Sequence, residues 1–252
     1  MKAIHVPSID ARYWAGITMA SVFGTNTGDW FAFRSGLGIL GGLPILAILV
    51  AAVFLLERRH QRQNEVWYWL VIILIRTGAT NIADFACGGR FLGINRIVFS
   101  AALAAFIFAM AASQRGKNVA PGLPRTDAIY WTMMLAAVVL GTAAGDAVLG
   151  ALGGPAGMGG VHASLLLGAM LAALLLYGRA GRIQLLFYYW LTICVARTAG
   201  TAVADMLAEN RTLNIGLPAS TILTGVIFVA VLWFWKSPRK TPLSSREQTT
   251  PG

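Results

Sequence analysis

The sequence predicts an all-α integral membrane protein with eight transmembrane helices, laid out as four tandem parallel two-helix repeats. Three observations predict it. Hydrophobic residues make up 57% of the 252 residues and charged residues only 12%, a balance suited to a bilayer and not to water. Charge-free runs at 35–56, 97–114, 147–178 and 212–235 have about the length a membrane helix needs, roughly 20 residues. They do not alternate in polarity as barrel strands would, so helices must satisfy their backbone amides. Finally, a Tyr-Trp pair occurs four times, at Tyr13-Trp14, Tyr68-Trp69, Tyr130-Trp131 and Tyr189-Trp190, and fifteen residues after each Trp stands Asp29, Asp84, Asp146 or Asp205.

This register divides the chain into repeats at 12–60, 66–114, 128–179 and 187–236, between an N-terminal segment 1–11 and a tail 237–252. The tail is rich in Pro, Ser, Thr and charge and reads as disordered. In every repeat the first helix runs from the Tyr-Trp pair past the acid. Thr25, Thr80, Thr142 and Thr201 each precede their aspartate by four residues, which puts hydroxyl and carboxylate on one helix face, one turn apart. Small residues occupy the positions before each Thr and each Asp: Gly24 and Gly28, Ala79 and Ala83, Gly141 and Gly145, Gly200 and Ala204. Such a small-xxx-small stripe lets helices approach closely, so the four first helices are expected to pack together near their acids.

The second helices are expected at about 38–56, 92–112, 160–177 and 215–235. Copies one and three share Gly-Thr-x-x-Gly-Asp, whereas copies two and four carry Arg76-Thr77 and Arg197-Thr198. The alternation suggests a duplicated two-repeat unit. Two spans per copy keep successive copies in one membrane orientation.

These motifs resemble a family of bacterial inner-membrane proteins defined by four copies of a two-helix repeat of unknown function with a conserved tryptophan. The resemblance covers Arg12 to Lys236 and rests on the Tyr-Trp and Thr-x-x-x-Asp elements. It implies the repeat architecture and a bacterial cytoplasmic-membrane location, and it supplies no substrate or reaction.

The net charge of +10 sits between the apolar runs, so it orients the chain and does not point to nucleic acid. Lys2, Arg12, Arg58, Arg59, Arg62, Arg115, Lys117, Arg125, Arg179, Arg182, Lys236, Arg239, Lys240 and Arg246 fall on one side, and only Arg34, Arg90, Arg96 and Arg211 on the other. The positive-inside rule then places both termini in the cytoplasm of a multi-pass protein. No compact secretory signal with a cleavage site is evident at the N-terminus, so the first span is expected to be kept. Cys87 and Cys194 read as small packing residues, and His162 as a turn residue.

Fifteen helical residues rise about 22 Å, so Trp14, Trp69, Trp131 and Trp190 as interface anchors would leave the aspartates in the outer third of the hydrocarbon core. An ionised acid there costs about 2.5–3.5 kcal/mol on insertion scales, so four of them require a reason. Arg76 and Arg197, seven residues after their Trp, are the intramembrane charge partners. Four carboxylates against two guanidinium groups leave a surplus of two negative charges. Protons or a hard cation such as Mg²⁺, Ca²⁺, Mn²⁺ or Na⁺ would offset it, with Asp29, Asp84, Asp146, Asp205, their threonines, Asn26 and Asn81 as oxygen ligands.

The expected function is therefore secondary transport or handling of a small cation or a proton-coupled solute at this Asp/Thr site. The alternative is a non-transporting scaffold whose Asp, Thr and Arg groups only hold helices together. No cofactor is implied beyond such a cation, and the partners are the bilayer, the cation or proton and, compatibly, further copies of the chain. All four lysines lie outside the spans, and no phosphate-binding Gly-rich loop, Gly-x-Ser-x-Gly or His-Glu-x-x-His occurs, so no enzyme is expected.

Overall fold

A computed structural model describes residues 7–59, 64–114, 127–179 and 186–235. Among them are eight α-helices and no strand: α1 (Ala11–Phe33), α2 (Gly38–Arg59), α3 (Glu65–Cys87), α4 (Arg96–Ser113), α5 (Ala128–Ala151), α6 (Met158–Arg179), α7 (Leu186–Glu209) and α8 (Leu217–Phe234). Residues 1–6 of the N-terminal segment and the tail 237–252 lie outside the described residues.

Three of the four odd-numbered helices start at a side chain that caps the first free amides. The Asp10 carboxylate accepts from the Tyr13 amide at 2.9 Å, the Asn64 side chain from Val66 at 3.0 Å and the Asp127 carboxylate from Tyr130 at 2.8 Å. The caps place Tyr13, Tyr68 and Tyr130 in the first turns of their helices.

The odd-numbered helices form a closed inner ring in the order α1, α3, α5, α7, with α7 returning to α1. Around it, α2 packs on α3, α4 on α5, α6 on α7 and α8 on α1, so each outer helix covers the inner helix of the following pair. Small residues set the inner spacing. A Cβ on Gly28 would stand 2.8 Å from the Thr77 carbonyl and Thr80 of α3, one on Gly141 2.5 Å from Cβ of Arg197, and one on Gly145 2.7 Å from Cβ of Thr201. The outer helices bury little and turn large apolar side chains outward, among them Ile48, Ile97, Leu165 and Ile222. In a bilayer that surface is solvated by lipid.

Seven of the eight helices, α2 to α8, are long and apolar enough by themselves to cross a membrane. Helix α1 carries Ser21, Thr25, Asn26 and Thr27 in its middle, and α3, α7 and α8 enclose it. A helix shielded by other helices needs less apolar surface of its own. One expectation is corrected: α4 starts at Arg96 and not near Leu92. The Asn95 side chain accepts from the Ile97 and Val98 amides at 2.9 and 3.3 Å, and Gly93 turns the preceding chain at a φ of +62°.

Candidate functional site: a polar axis through the inner helices

Polar side chains from α1, α3, α5 and α7 stand in successive levels along the axis of the inner ring. At one end the four tyrosine hydroxyls close a ring of hydrogen bonds: Tyr13 to Tyr68 at 2.9 Å, Tyr68 to Tyr130 at 2.8 Å, Tyr130 to Tyr189 at 3.0 Å and Tyr189 to Tyr13 at 2.6 Å. All four residues are buried. Each tryptophan meets the tyrosine of its own pair edge-on and also packs on a neighbouring helix's tyrosine. Trp69 lies 6.0 Å from Tyr13, Trp131 5.8 Å from Tyr68, Trp190 5.6 Å from Tyr130 and Trp14 5.9 Å from Tyr189, centroid to centroid. The result is an eight-ring aromatic collar. Trp69 and Trp190 are buried in it, whereas Trp14 and Trp131 are half-buried and keep the outward share that headgroup anchoring needs.

Arg76 and Arg197 occupy the same position on α3 and α7, yet their guanidinium groups run in opposite directions along the axis. Both are fully buried. Arg76 turns toward the threonine level: Nη1 donates to Thr142 Oγ1 at 2.5 Å, and Nη2 to Thr201 Oγ1 at 2.6 Å and to Thr25 Oγ1. Its Nε donates to the Ser21 carbonyl at 3.2 Å. Arg197 turns toward the tyrosines, donating through Nη1 to Ser21 Oγ at 3.0 Å and through Nη2 to Met134 Sδ at 3.6 Å.

The helix backbone prepares these acceptors. Ser21 Oγ donates to the Ile17 carbonyl, and Thr25 Oγ1 to the Ser21 carbonyl, each at 2.8 Å, while Thr201 Oγ1 donates to the Arg197 carbonyl at 3.2 Å. With its hydrogen directed back along the helix, each hydroxyl offers lone pairs to a guanidinium that can only donate. The threonines therefore serve Arg76 and do not donate to the aspartates one turn on, as their spacing alone suggests. Thr80, the fourth, is buried and its hydroxyl has no hydrogen-bond partner among the described residues.

Beyond the threonines lie the four aspartates, each half-buried. They stand within Coulombic reach of one another: Asp29 of Asp84 and Asp146, Asp205 of Asp29 and Asp146, and Asp146 of Asp84. Arg76 reaches Asp29, Asp146 and Asp205, and the exposed Glu209 adds its charge to Asp29 and Asp205. Only Asp146 has an ion-pair partner among the described residues, Nε of Arg96 at 3.3 Å. A pocket of about 360 Å³ opens there, lined by Cys87, Asn95, Arg96 and Asp146 among others. Among the described residues no three His, Cys, Asp or Glu side chains stand close enough to hold a metal ion. The carboxylates thus feel each other's charge without three of them converging on one point.

Asn26 and Asn81 are fully buried, and neither amide has a partner among the described residues. The Asn81 nitrogen lies against Gly42 at the seam of α2 and α3, 3.2 Å from where a Cβ on Gly42 would stand.

Sequence reasoning passed over three participants. The tyrosines looked like half of an anchoring pair, although their fourfold recurrence at one helix level was the signal for a ring. Ser21 occupies in α1 the position of Arg76 in α3, seven residues after the Trp, and that equivalence could have marked it. Arg96 counted as a loop charge. A short turn after each acid returns the chain at the acid's own depth, so an Arg opening the next helix can reach a carboxylate.

No curated protein and no solved structure matches this chain. Over residues 12–63 and 188–241, which hold the first and last helix pairs, the chain is similar to the family described as Repeat of Unknown Function (DUF347).

Proposed function

We propose that this multi-pass membrane protein is a secondary transporter that couples movement of a small solute to protons held on Asp29, Asp84, Asp146 and Asp205. In this reading the chain is four tandem two-helix copies with α1 as an eighth span. It sits in a bacterial cytoplasmic membrane with both termini inside.

One observation carries the reading: four carboxylates share one region at the end of the inner helices, and Asp29, Asp84 and Asp205 have no ion-pair partner among the described residues. Like charges gathered in a half-buried site repel one another, so protons are the simplest compensation and their exchange is a ready coupling step. Purely structural acids would each be expected to hold a fixed donor. The separation of the carboxylates favours protons over a resident divalent ion. Asn26, Asn81 and Thr80 add polar groups that solute or water could use.

Purified chain in proteoliposomes, with internal pH read by a trapped dye, tests the coupling. Asp84→Asn and Asp205→Asn are each expected to abolish solute-dependent proton flux while membrane insertion is retained. Wild-type flux in both variants would remove the proposal.

The scaffold reading draws on a different observation, the Arg76–threonine and tyrosine networks, which tie four helices together as structural glue does. It expects the same Asn substitutions to lower thermal stability in detergent, with no cation altering the wild-type midpoint.

A further inference from the structure

Arg76 and Arg197 are matched in position and in burial, but not in what their nitrogens meet. Every guanidinium nitrogen of Arg76 donates to an oxygen. Arg197 has one such bond, from Nη1 to Ser21 Oγ at 3.0 Å. Its Nε has no hydrogen-bond partner among the described residues, and Nη2 meets only the Met134 thioether at 3.6 Å, a weak acceptor. Nε and Nη2 share one edge of the guanidinium plane, the edge that receives two oxygens of an anion side by side. That edge is sealed from solvent, since Arg197 is 0% exposed.

The charge also lacks a carboxylate. The ion pairs among the described residues belong to Arg12 and Arg96, and the guanidinium of Arg197 is turned toward the hydroxyls of Tyr13, Tyr68, Tyr130 and Tyr189. Arg76, the charged group facing it from α3, is itself a cation. A buried guanidinium in that setting is costly unless an anion accompanies it. The tyrosine hydroxyls are rotors that can turn a proton from a neighbour to an ion, which completes a donor set with the free guanidinium edge, while Ser21 accepts from Nη1 and orients the fork.

We propose that Arg197, oriented by Ser21, holds with the tyrosine ring a small monovalent anion, a halide or a planar oxyanion of nitrate size, on the axis of the bundle. The site is separate from the aspartates and stands whether or not they couple protons to transport.

The test uses the full chain, purified in detergent and exchanged into gluconate, a bulky, weakly coordinating anion. Chloride, bromide and nitrate are titrated in, with calorimetry and the thermal midpoint as readouts. Saturable binding is expected in the wild type and in Arg90→Lys, which alters an exposed arginine. Arg197→Lys keeps the charge and loses the fork, and its affinity is expected to fall about tenfold or more. Ser21→Ala, a milder change, is expected to weaken binding severalfold should the lysine variant fail to fold. Absence of saturable binding in the wild type overturns the proposal, as does equal affinity in Arg197→Lys. A tyrosinate absorption band at neutral pH that persists in saturating nitrate would also overturn it, because the counter-charge would then be a phenolate.

Discussion

Each tyrosine hydroxyl in a closed ring of four donates once and accepts once, so removing one oxygen costs two hydrogen bonds and leaves a neighbour unsatisfied in a buried place. Replacing Tyr130 with Phe is expected to lower stability by about 1–3 kcal/mol, read as a fall in the denaturation midpoint in detergent. Adding Tyr68→Phe is expected to cost less than the sum of the two single changes, because Tyr68 and Tyr130 share a bond of 2.8 Å that can be lost only once. Strict additivity would show that the ring does not act as a unit. Arg76 follows the same logic. Its acceptors come from α1, α5 and α7, so a single side chain on α3 reaches all three other inner helices.

At the scale of the helices, glycine positions decide how near the inner helices can come, and so whether the axial groups meet. Gly145 of α5 faces Thr201 of α7, and a Cβ there would lie 2.7 Å from the threonine Cβ. Gly145→Val is expected to push α5 from α7, disturb the Thr201–Arg76 hydrogen bond and destabilise the protein by about 1–3 kcal/mol or more. Gly150, further along α5, has open space where a Cβ would stand, with nothing within 4 Å, so Gly150→Ala is expected to be neutral or stabilising by up to about 1 kcal/mol. Equal effects of the two changes on the thermal midpoint would refute close packing at the α5–α7 contact. The Arg12–Glu65 ion pair at 2.6 Å, with Arg12 Nη2 also donating to the Leu232 carbonyl at 3.0 Å, ties α1, α3 and α8 near the tyrosine end.

For the whole molecule, the axis carries a closed hydroxyl ring, two opposed guanidinium groups, a threonine level and an acidic end. Two fixed positive charges on the axis repel a bare cation travelling along it, which is a further reason to assign protons, and not a permeating metal ion, to the acids. In the proposed topology the positive-inside count puts the links around Lys117 on the cytoplasmic side and those around Arg211 on the other. Single cysteines at these two positions, in a background without Cys87 and Cys194, are expected to react with an impermeant thiol reagent from opposite faces of sealed vesicles. Labelling from the same face would break the proposed topology, in which α5, α6 and α7 separate the two positions.

The helices were legible in the chain because apolar run length is a local property. The aspartates, threonines, arginines and small-residue stripe could be found from spacing, since residues four apart share a helix face wherever the helix goes. Spacing could not say which partner each hydroxyl would choose. Thr25 and Asp29 are neighbours on α1, yet Thr25 accepts from Arg76, because a long side chain from another helix reaches it and a buried guanidinium needs acceptors more than a carboxylate at the rim needs a donor. Matched positions likewise hid the opposite directions of Arg76 and Arg197, which depend on Thr142, Met134 and Ser21 from facing helices. By itself the sequence determined a helical membrane protein with four recurring aromatic and acidic marks. Only the tertiary structure decided that the tyrosines close a ring, that the threonines hold Arg76 and that Arg197 turns away from the acids, because those choices depend on distances between helices.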